Sequence, residues 1–334
     1  MNRQIVVEER SQVAQARREA VSLATRLGFD PTVTDRLGLA VTETGTNLVK
    51  HSGGGTVLIA PLAAATISGV EIIAIDRGPG MANVAVSMRD GHSTAGSPGL
   101  GLGSLSRIAS NLDIYSQKAH GTVLRFEIWN AQQPPPAATV ALGGVCIAKA
   151  GEDVCGDAWT VQAFQHTYRM LVVDGLGHGA GAATAAQSAV RVAEQEAGAA
   201  PVALLESIHD ALRSTRGAAG AVAAIAPNAA GGVFAGIGNI RALVRAGSTE
   251  RSLVSHNGTL GHQVRKLQPF EFAFPPRALL IMHSDGIATH WSFDAYPGLL
   301  GHHPATIAAT IFRDHARARD DATIVVLRND CPTA

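Results

Sequence analysis

Four aspartates in the C-terminal part of the chain each stand beside a glycine or a second aspartate, at the ends of predicted strands. The pairs are Gly156-Asp157, Asp174-Gly175, Asp285-Gly286 and Asp320-Asp321. A glycine beside a carboxylate at a strand end lets both the side chain and a backbone carbonyl face a cation. Several carboxylates that converge in this way form an oxygen-rich site suited to Mg²⁺ or Mn²⁺ rather than zinc. A single Asp-Gly more often marks a turn, so the prediction depends on all four together.

The segments around these aspartates carry a family resemblance. Residues 171–179 lead into an alanine-rich helix, residues 279–287 end an apolar strand, and residues 319–326 open the last strand. Together they resemble the metal-dependent (PPM) serine/threonine phosphatases of the SpoIIE/RsbX type, over about residues 139–330. The resemblance implies an α-β-β-α sandwich with two Mn²⁺ or Mg²⁺ ions, which activate a water for in-line attack on the phosphate without a phosphoenzyme.

The same resemblance implies a role for each acidic residue. Asp174 is expected to bridge both ions, and Gly175 to donate its backbone carbonyl. The remaining ligands are expected to be Asp157, Asp285 and Asp320. The neighbouring Asp321 is not expected to bind an ion directly, and Asp153 is expected to be solvated or to lie beside the ligands. The histidine in the turn after Asp174, His178, either contacts the substrate or has a structural role.

A second set of polar residues lies in the first 130 residues. Glu43 and Asn47 are four apart on a predicted helix over 34–50, so both project from one face, where a carboxylate and an amide oxygen can act as a base and a metal ligand. Asp76 ends a predicted strand and is followed by flexible backbone. Glycines that lead into a helix can present free N–H groups to a phosphate. The predicted binding positions after Asn47 are Asp76, Gly78, Gly80, Gly99, Gly101, Gly103 and Thr122.

The order and spacing of these elements resemble the GHKL (Bergerat-fold) ATPases, and the segment 90–103 is most similar to the anti-sigma-factor serine kinases of the RsbT/RsbW type. The resemblance covers about residues 5–130. It implies that Asp76 binds the adenine amino group, Asn47 holds the Mg²⁺ of ATP, and the glycine-rich segment covers the phosphates. Glu43 is implied as the base that activates a serine hydroxyl or a water.

Three consecutive prolines divide the chain, because they cannot lie inside a helix or a central strand. We therefore predict an ATP-binding domain over 1–130, a proline-rich linker over 131–138 and a phosphatase domain over 139–334. The length of 334 residues agrees with two domains. Both parts alternate helical and strand patterns, so the predicted class is α+β: an N-terminal Bergerat-fold α/β sandwich and a C-terminal α-β-β-α sandwich.

Composition excludes several classes of protein. Lys+Arg and Asp+Glu both number 27, so the net charge is +0, and nucleic acid is not expected as the main partner. The first 20 residues contain no apolar signal region, and the longest uncharged stretch, 217–240, is broken by proline and glycine. A cytoplasmic protein without membrane association is therefore expected.

Both resemblances point to bacterial partner switching, in which a kinase and a phosphatase act on one small STAS-domain protein. The expected partner is a STAS-domain phosphoprotein, an antagonist or a scaffold, and the sequence leaves open a sigma factor or another downstream regulator, as well as a homodimer. Joining both domains in one chain raises the local concentration of each around a shared partner. Two alternatives stay open: the N-terminal domain is a non-catalytic nucleotide sensor or binding module, or the whole chain acts by sequestering its partner.

Overall fold

A computed structural model of the chain describes residues 1–88, 102–131, 133–136 and 138–332. The chain forms two units, each with its own core. One unit comprises residues 2–137 and 297–302, and the other comprises residues 138–296 and 303–334, together with residue 1.

The N-terminal unit is one five-stranded antiparallel sheet with two long helices packed on one face. The strand order is β1-β2-β3-β5-β4. Its elements are β1 (Arg3–Val7), α1 (Arg10–Arg26), α2 (Pro31–Asn47), β2 (Gly55–Ala64), β3 (Ile67–Ile75), α3 (Val84–Ser87), α4 (Leu102–Ile108), β4 (Asn111–Gln117) and β5 (Gly121–Trp129). A π-helical turn, Leu48–Ser52, continues α2 directly.

Small residues let the helices of this unit approach the sheet closely. Ala16 and Ala20 belong to the buried stripe of α1, which shares one hydrophobic core with every second residue of β3, such as Val70 and Ile72. This alternation places one side of β3 in the helix-covered core. On the opposite side of the sheet, the buried Arg125 donates hydrogen bonds to the carboxylates of Glu71 and Glu127.

The C-terminal unit consists of two antiparallel sheets stacked face to face and covered by helices. Its elements up to the middle of the unit are β6 (Val140–Ile147), β7 (Asp157–Phe164), β8 (Thr167–Gly175), α5 (Ala180–Gln195), α6 (Pro201–Ala211), β9 (Ala218–Ala226), β10 (Gly231–Ile237) and β11 (Arg241–Ala246). They are followed by β12 (Thr249–Leu253), β13 (Gly258–Thr259), β14 (Gln263–Val264), β15 (Phe270–Ala273), β16 (Leu279–His283), α7 (Pro304–His315) and β17 (Ala322–Asn329).

The strand order is β15-β10-β9-β8-β7 in one sheet and β12-β11-β16-β17-β6 in the other. Apolar residues from both sheets, among them Met170 and Leu280, form the core between them. Helices α5 and α6 cover the outer face of the first sheet, and α7 packs on β6 and β17 of the second. The layers are therefore α-β-β-α, which confirms the predicted fold class.

Some elements differ from the sequence prediction. Strand β1 was not predicted, because its five residues show little alternation and it pairs only with β2 at the sheet edge. The apolar pattern after the glycine-rich segment predicts a helix over 102–112, but α4 ends at Ile108 because the chain enters β4 at Asn111. The sequence also gives no signal for β12 to β15, because these four strands of two to five residues are too short for a periodic pattern. Within the described residues, no helix is both long enough and apolar enough to cross a membrane.

Candidate active sites

The predicted metal ligands lie at the ends of strands from both sheets of the C-terminal unit. Asp157 opens β7 and Asp174 lies near the end of β8, and the antiparallel register places them directly opposite each other. Asp285 lies two residues beyond the end of β16, and Asp320 lies two residues before β17, its neighbour in the second sheet. The structure thus brings together carboxylates that are up to 163 residues apart, as Asp157 and Asp320 are.

The electrostatics show that these carboxylates crowd one another. Burial raises the pKa of Asp174 to about 9, and the charges of Asp157, Asp285 and Asp320 add to this increase. Burial likewise raises the pKa of Asp157 to about 7, although the hydrogen bond from the Ser284 hydroxyl opposes the effect. Buried like charges of this kind favour either protonation or a nearby cation.

One buried serine connects the two sheets at this site. Ser284, which precedes Asp285, donates its hydroxyl to Oδ2 of Asp157 at 2.6 Å and accepts the backbone N–H of Thr323 at 3.1 Å. Its side chain is fully buried. Ser284 therefore fixes the orientation of one predicted ligand, Asp157, from the loop that carries another.

Asp321 holds the loops of the site together rather than pointing to the ligand cluster. Its Oδ1 accepts the N–H of Lys149 at 2.9 Å, and its Oδ2 accepts the N–H of Gly156 at 3.0 Å. Its backbone oxygen lies so close to Gly286 that a Cβ atom at that position would stand 1.8 Å away. Only glycine fits there, because any side chain would collide with the backbone of Asp321 and Ala322.

Two further polar residues near the ligands were not singled out from the sequence. Asn239, in the turn between β10 and β11, donates its amide Nδ2 to Oδ2 of Asp285 at 2.9 Å. Glu152 pairs with His178, with 2.5 Å between Oε1 and Nδ1, in the exposed turn after Asp174. Asn239 and Asp285 are 46 positions apart in the sequence. Their contact can be expected only once the register between β11 and β16 is known.

The predicted donor set of this site is suited to Mg²⁺ or Mn²⁺, because it consists of carboxylate oxygens and one backbone carbonyl, that of Gly175. Over the described ranges, however, no three acidic, histidine or cysteine side chains stand close enough to hold one ion as they are. Ion binding would therefore require the carboxylates to move closer together than they are here. The raised pKa values of Asp157 and Asp174 fit this account, since a cation would relieve the repulsion between them.

The predicted nucleotide site of the N-terminal unit is centred on Asp76, which follows β3 and is buried. Its Oδ1 accepts the backbone N–H groups of Gly78 at 2.8 Å and Thr122 at 3.2 Å. No donor from the described part of the chain reaches Oδ2, so that oxygen is available to a ligand amino group. Gly80 has a φ of +66°, and a Cβ atom there would lie 2.1 Å from the carbonyl oxygen of Gln117.

The other predicted residues of this site lie on α2 and on the glycine-rich segment. Glu43 and Asn47 are half-buried and one helical turn apart at the end of α2. The π-helical turn that follows brings Ser52 against Gly78, close to Asp76. Gly103 is buried in α4, whereas Gly99 and Gly101 lie outside the described residues. Within the described residues no hydrogen bond joins Glu43 or Asn47 to Asp76, so their joint role stays a prediction.

Comparison with known proteins identifies both units. The family model of the histidine kinase-like ATPase domain matches residues 6–128, and that of stage II sporulation protein E (SpoIIE) matches residues 165–330. The serine/threonine-protein kinase RsbT of Bacillus subtilis (strain 168) is 31% identical over 117 residues, which is 35% of this chain and 88% of RsbT.

Two solved structures resemble the chain over a little more than half its length. A structure from work on the bacterial stressosome, described as a modular system adapted to control secondary messenger signalling, is 28% identical. The superposition covers 57% of this chain and 99% of the stressosome chain, with a TM-score of 0.53. RsbX in complex with magnesium is 20% identical and has a TM-score of 0.52, over 57% of this chain and 94% of RsbX; at that identity the likeness shows the fold alone.

These matches confirm both resemblances seen in the sequence. The α-β-β-α layers and the SpoIIE model agree on the C-terminal unit, and the sheet covered by helices and the ATPase model agree on the N-terminal one. The chain belongs to the family of the serine/threonine-protein kinase RsbT and carries, after that kinase-like domain, a PPM phosphatase domain of the SpoIIE type.

Proposed function

We propose that this chain is a bifunctional partner-switching regulator. Its C-terminal domain removes phosphate from phosphoserine or phosphothreonine on a STAS-domain protein, and its N-terminal domain binds ATP with Mg²⁺ and phosphorylates the same partner. The observation that carries the proposal is the meeting of Asp157, Asp174, Asp285 and Asp320 at one edge of a SpoIIE-type domain. The relation to RsbT supports the kinase half.

The predicted ligands of the phosphatase site come from both sheets of the domain. When bound, two Mg²⁺ or Mn²⁺ ions lower the pKa of a water and neutralise the charge of the phosphate. Asp174 and the carbonyl of Gly175 would hold the ions from the first sheet, and Asp285 and Asp320 from the second. Ser284 keeps the Asp157 carboxylate oriented through its hydroxyl.

In the N-terminal domain, Asp76 would accept the adenine amino group at Oδ2, since backbone N–H groups already occupy Oδ1. Asn47 would contribute its amide oxygen to the Mg²⁺ that accompanies ATP. Glu43, one turn away on the same helix, would take the proton from the partner's serine or threonine hydroxyl. A phosphate added there carries about −1.5 to −2 charges, enough to break or form an interface.

The test uses the full chain, Mn²⁺ and a phosphorylated STAS-domain protein, with and without ATP. Phosphate release should disappear in Asp174→Asn and persist in Asp153→Asn, an exposed aspartate near the site. Transfer of phosphate from ATP should disappear in Glu43→Gln and persist in Asp35→Asn, an exposed residue on the same helix.

The alternatives give different results in the same experiment. If Glu43→Gln changes nothing while Asp76→Asn weakens partner binding, the N-terminal domain is a nucleotide sensor or a binding module for an antagonist or sigma factor. If neither Asp174→Asn nor Glu43→Gln alters phosphorylation of the partner, the enzymatic proposal is wrong and sequestration of the partner is favoured.

A further inference from the structure

The turn that carries Asn239 lies between the two sheets of the phosphatase domain. Strand β10 belongs to the first sheet and β11 to the second, so residues 238–240 cross from one to the other. Two backbone hydrogen bonds of 2.8 Å hold this crossing to a neighbouring segment: the N–H of Gly238 donates to the oxygen of His256, and the N–H of His256 donates to the oxygen of Gly236. The path of the backbone here is therefore fixed.

This turn contacts both sheets close to the predicted ligands. Gly238 packs so closely on Ala219 that a Cβ atom would stand 2.5 Å from the Ala219 Cβ, and Ala219 is the register partner of Asp174. On the other side, Arg241 pairs with His283 in the ladder between β11 and β16. Continuing that register by two residues places Asn239 opposite Asp285, where its Nδ2 donates to Oδ2 at 2.9 Å.

From this geometry we infer that Asn239 is a positioning residue, which holds the Asp285 carboxylate by one oxygen and leaves the other free for a divalent cation. The inference rests on the proposed metal-dependent function. A neutral amide suits this task, because it donates a hydrogen bond without bringing a charge of its own. A lysine or arginine at this position would compete with the cation for the carboxylate, and an aspartate would repel it.

Asparagine is also common in turns because it suits the turn backbone. The test therefore separates a role in orienting Asp285 from a role in forming the turn. Mn²⁺ binding to the full chain is measured by calorimetry, and melting of the metal-free chain is measured in parallel. We expect Asn239→Ala to weaken Mn²⁺ binding about 10-fold, in the range found for residues that orient metal ligands. Asn239→His, whose ring Nδ1–H donates from a similar distance along the side chain, should stay within about 3-fold of the unmodified chain.

The matched control is Asn257→Ala, which removes an exposed asparagine from the loop beside the same turn and should bind Mn²⁺ as the unmodified chain does. Melting of metal-free Asn239→Ala should change little, because its side chain is exposed. Unchanged Mn²⁺ affinity in Asn239→Ala would overturn the inference, as would equal losses of affinity in the alanine and histidine variants.

Calorimetry also keeps this inference separate from the proposed function. If the chain binds Mn²⁺, Asn239→Ala weakens that binding and no phosphoprotein is hydrolysed, the inference stands and only the phosphatase proposal fails. If the unmodified chain does not bind Mn²⁺, both are wrong.

Discussion

Protons and metal ions should compete for the carboxylates of the phosphatase site. The pKa values of about 7 for Asp157 and about 9 for Asp174 mean that both side chains carry a proton at pH 6. Because the ion binds the ionised form, each proton must leave first, and the apparent affinity rises with pH. Between pH 6 and pH 8, deprotonation of Asp174 contributes about 100-fold and that of Asp157 about 10-fold, so Mn²⁺ affinity should increase about 1,000-fold.

The same shifts fix the sign of the stability change in the absence of metal. Both pKa values lie above the value of about 3.9 expected for an unfolded aspartate, so ionisation costs the folded state more than the unfolded one. The metal-free chain should therefore lose stability as the pH rises from about 4 through 7 and 9, and saturating Mn²⁺ should reverse the loss.

Calorimetric titration with Mn²⁺ at pH 6, 7 and 8, in two buffers of different ionisation enthalpy, measures both the affinity and the protons released. Nearly two protons should be released at pH 6 and about one at pH 8, because Asp157 is by then ionised. Asp153→Asn serves as the control and should show the same pH dependence, since Asp153 is exposed. An affinity that changes less than about 10-fold from pH 6 to pH 8 would refute the reasoning.

Two substitutions test the buried polar contacts of the two domains. Ser284→Ala removes a hydrogen bond to the Asp157 carboxylate and leaves the Thr323 N–H unpaired, so urea unfolding should show a loss of about 3 kcal/mol. In the N-terminal domain, Arg125→Met leaves Glu71 and Glu127 buried without their shared cation, which should cost about 3–5 kcal/mol by the same method.

The controls for these substitutions follow from the same contacts. Ser252→Ala, on an exposed strand position, should change the unfolding free energy by less than about 0.5 kcal/mol. Burial raises the pKa of Glu71 against the effect of Arg125, so adding Glu71→Gln to Arg125→Met should recover part of the loss. A Ser284→Ala loss no larger than that of Ser252→Ala, or an Arg125→Met chain as stable as the unmodified one, would contradict these accounts.

The candidate carboxylates could be singled out from the sequence, because each is marked by a neighbouring glycine or aspartate at the end of an apolar strand, and their binding of cations stays a prediction. The contacts that orient them could not be singled out. Ser284 reaches Asp157 across 127 residues, and Asn239 reaches Asp285 only because β11 and β16 pair in one register. A pattern read along the chain holds no information about which strands are neighbours or how they are aligned.

The helix–strand alternation of the N-terminal domain could be predicted because it depends on local patterns in the sequence. The stripe of Ala16 and Ala20 on α1 has the period of a helix, and that signal is local. Strand β1 lacks such a signal, since its pairing with β2 and not its own pattern defines it.

Asp320 is a predicted metal ligand, whereas its neighbour Asp321 holds backbone groups of nearby loops, and the difference bears on the metal-free protein. The Asp321 carboxylate accepts backbone N–H groups from two loops, those of Lys149 and Gly156. These attachments contain no ion, so depletion of magnesium or manganese leaves the scaffold assembled. If the domain is the proposed metal-dependent phosphatase, it should then regain activity on uptake of cations, without refolding.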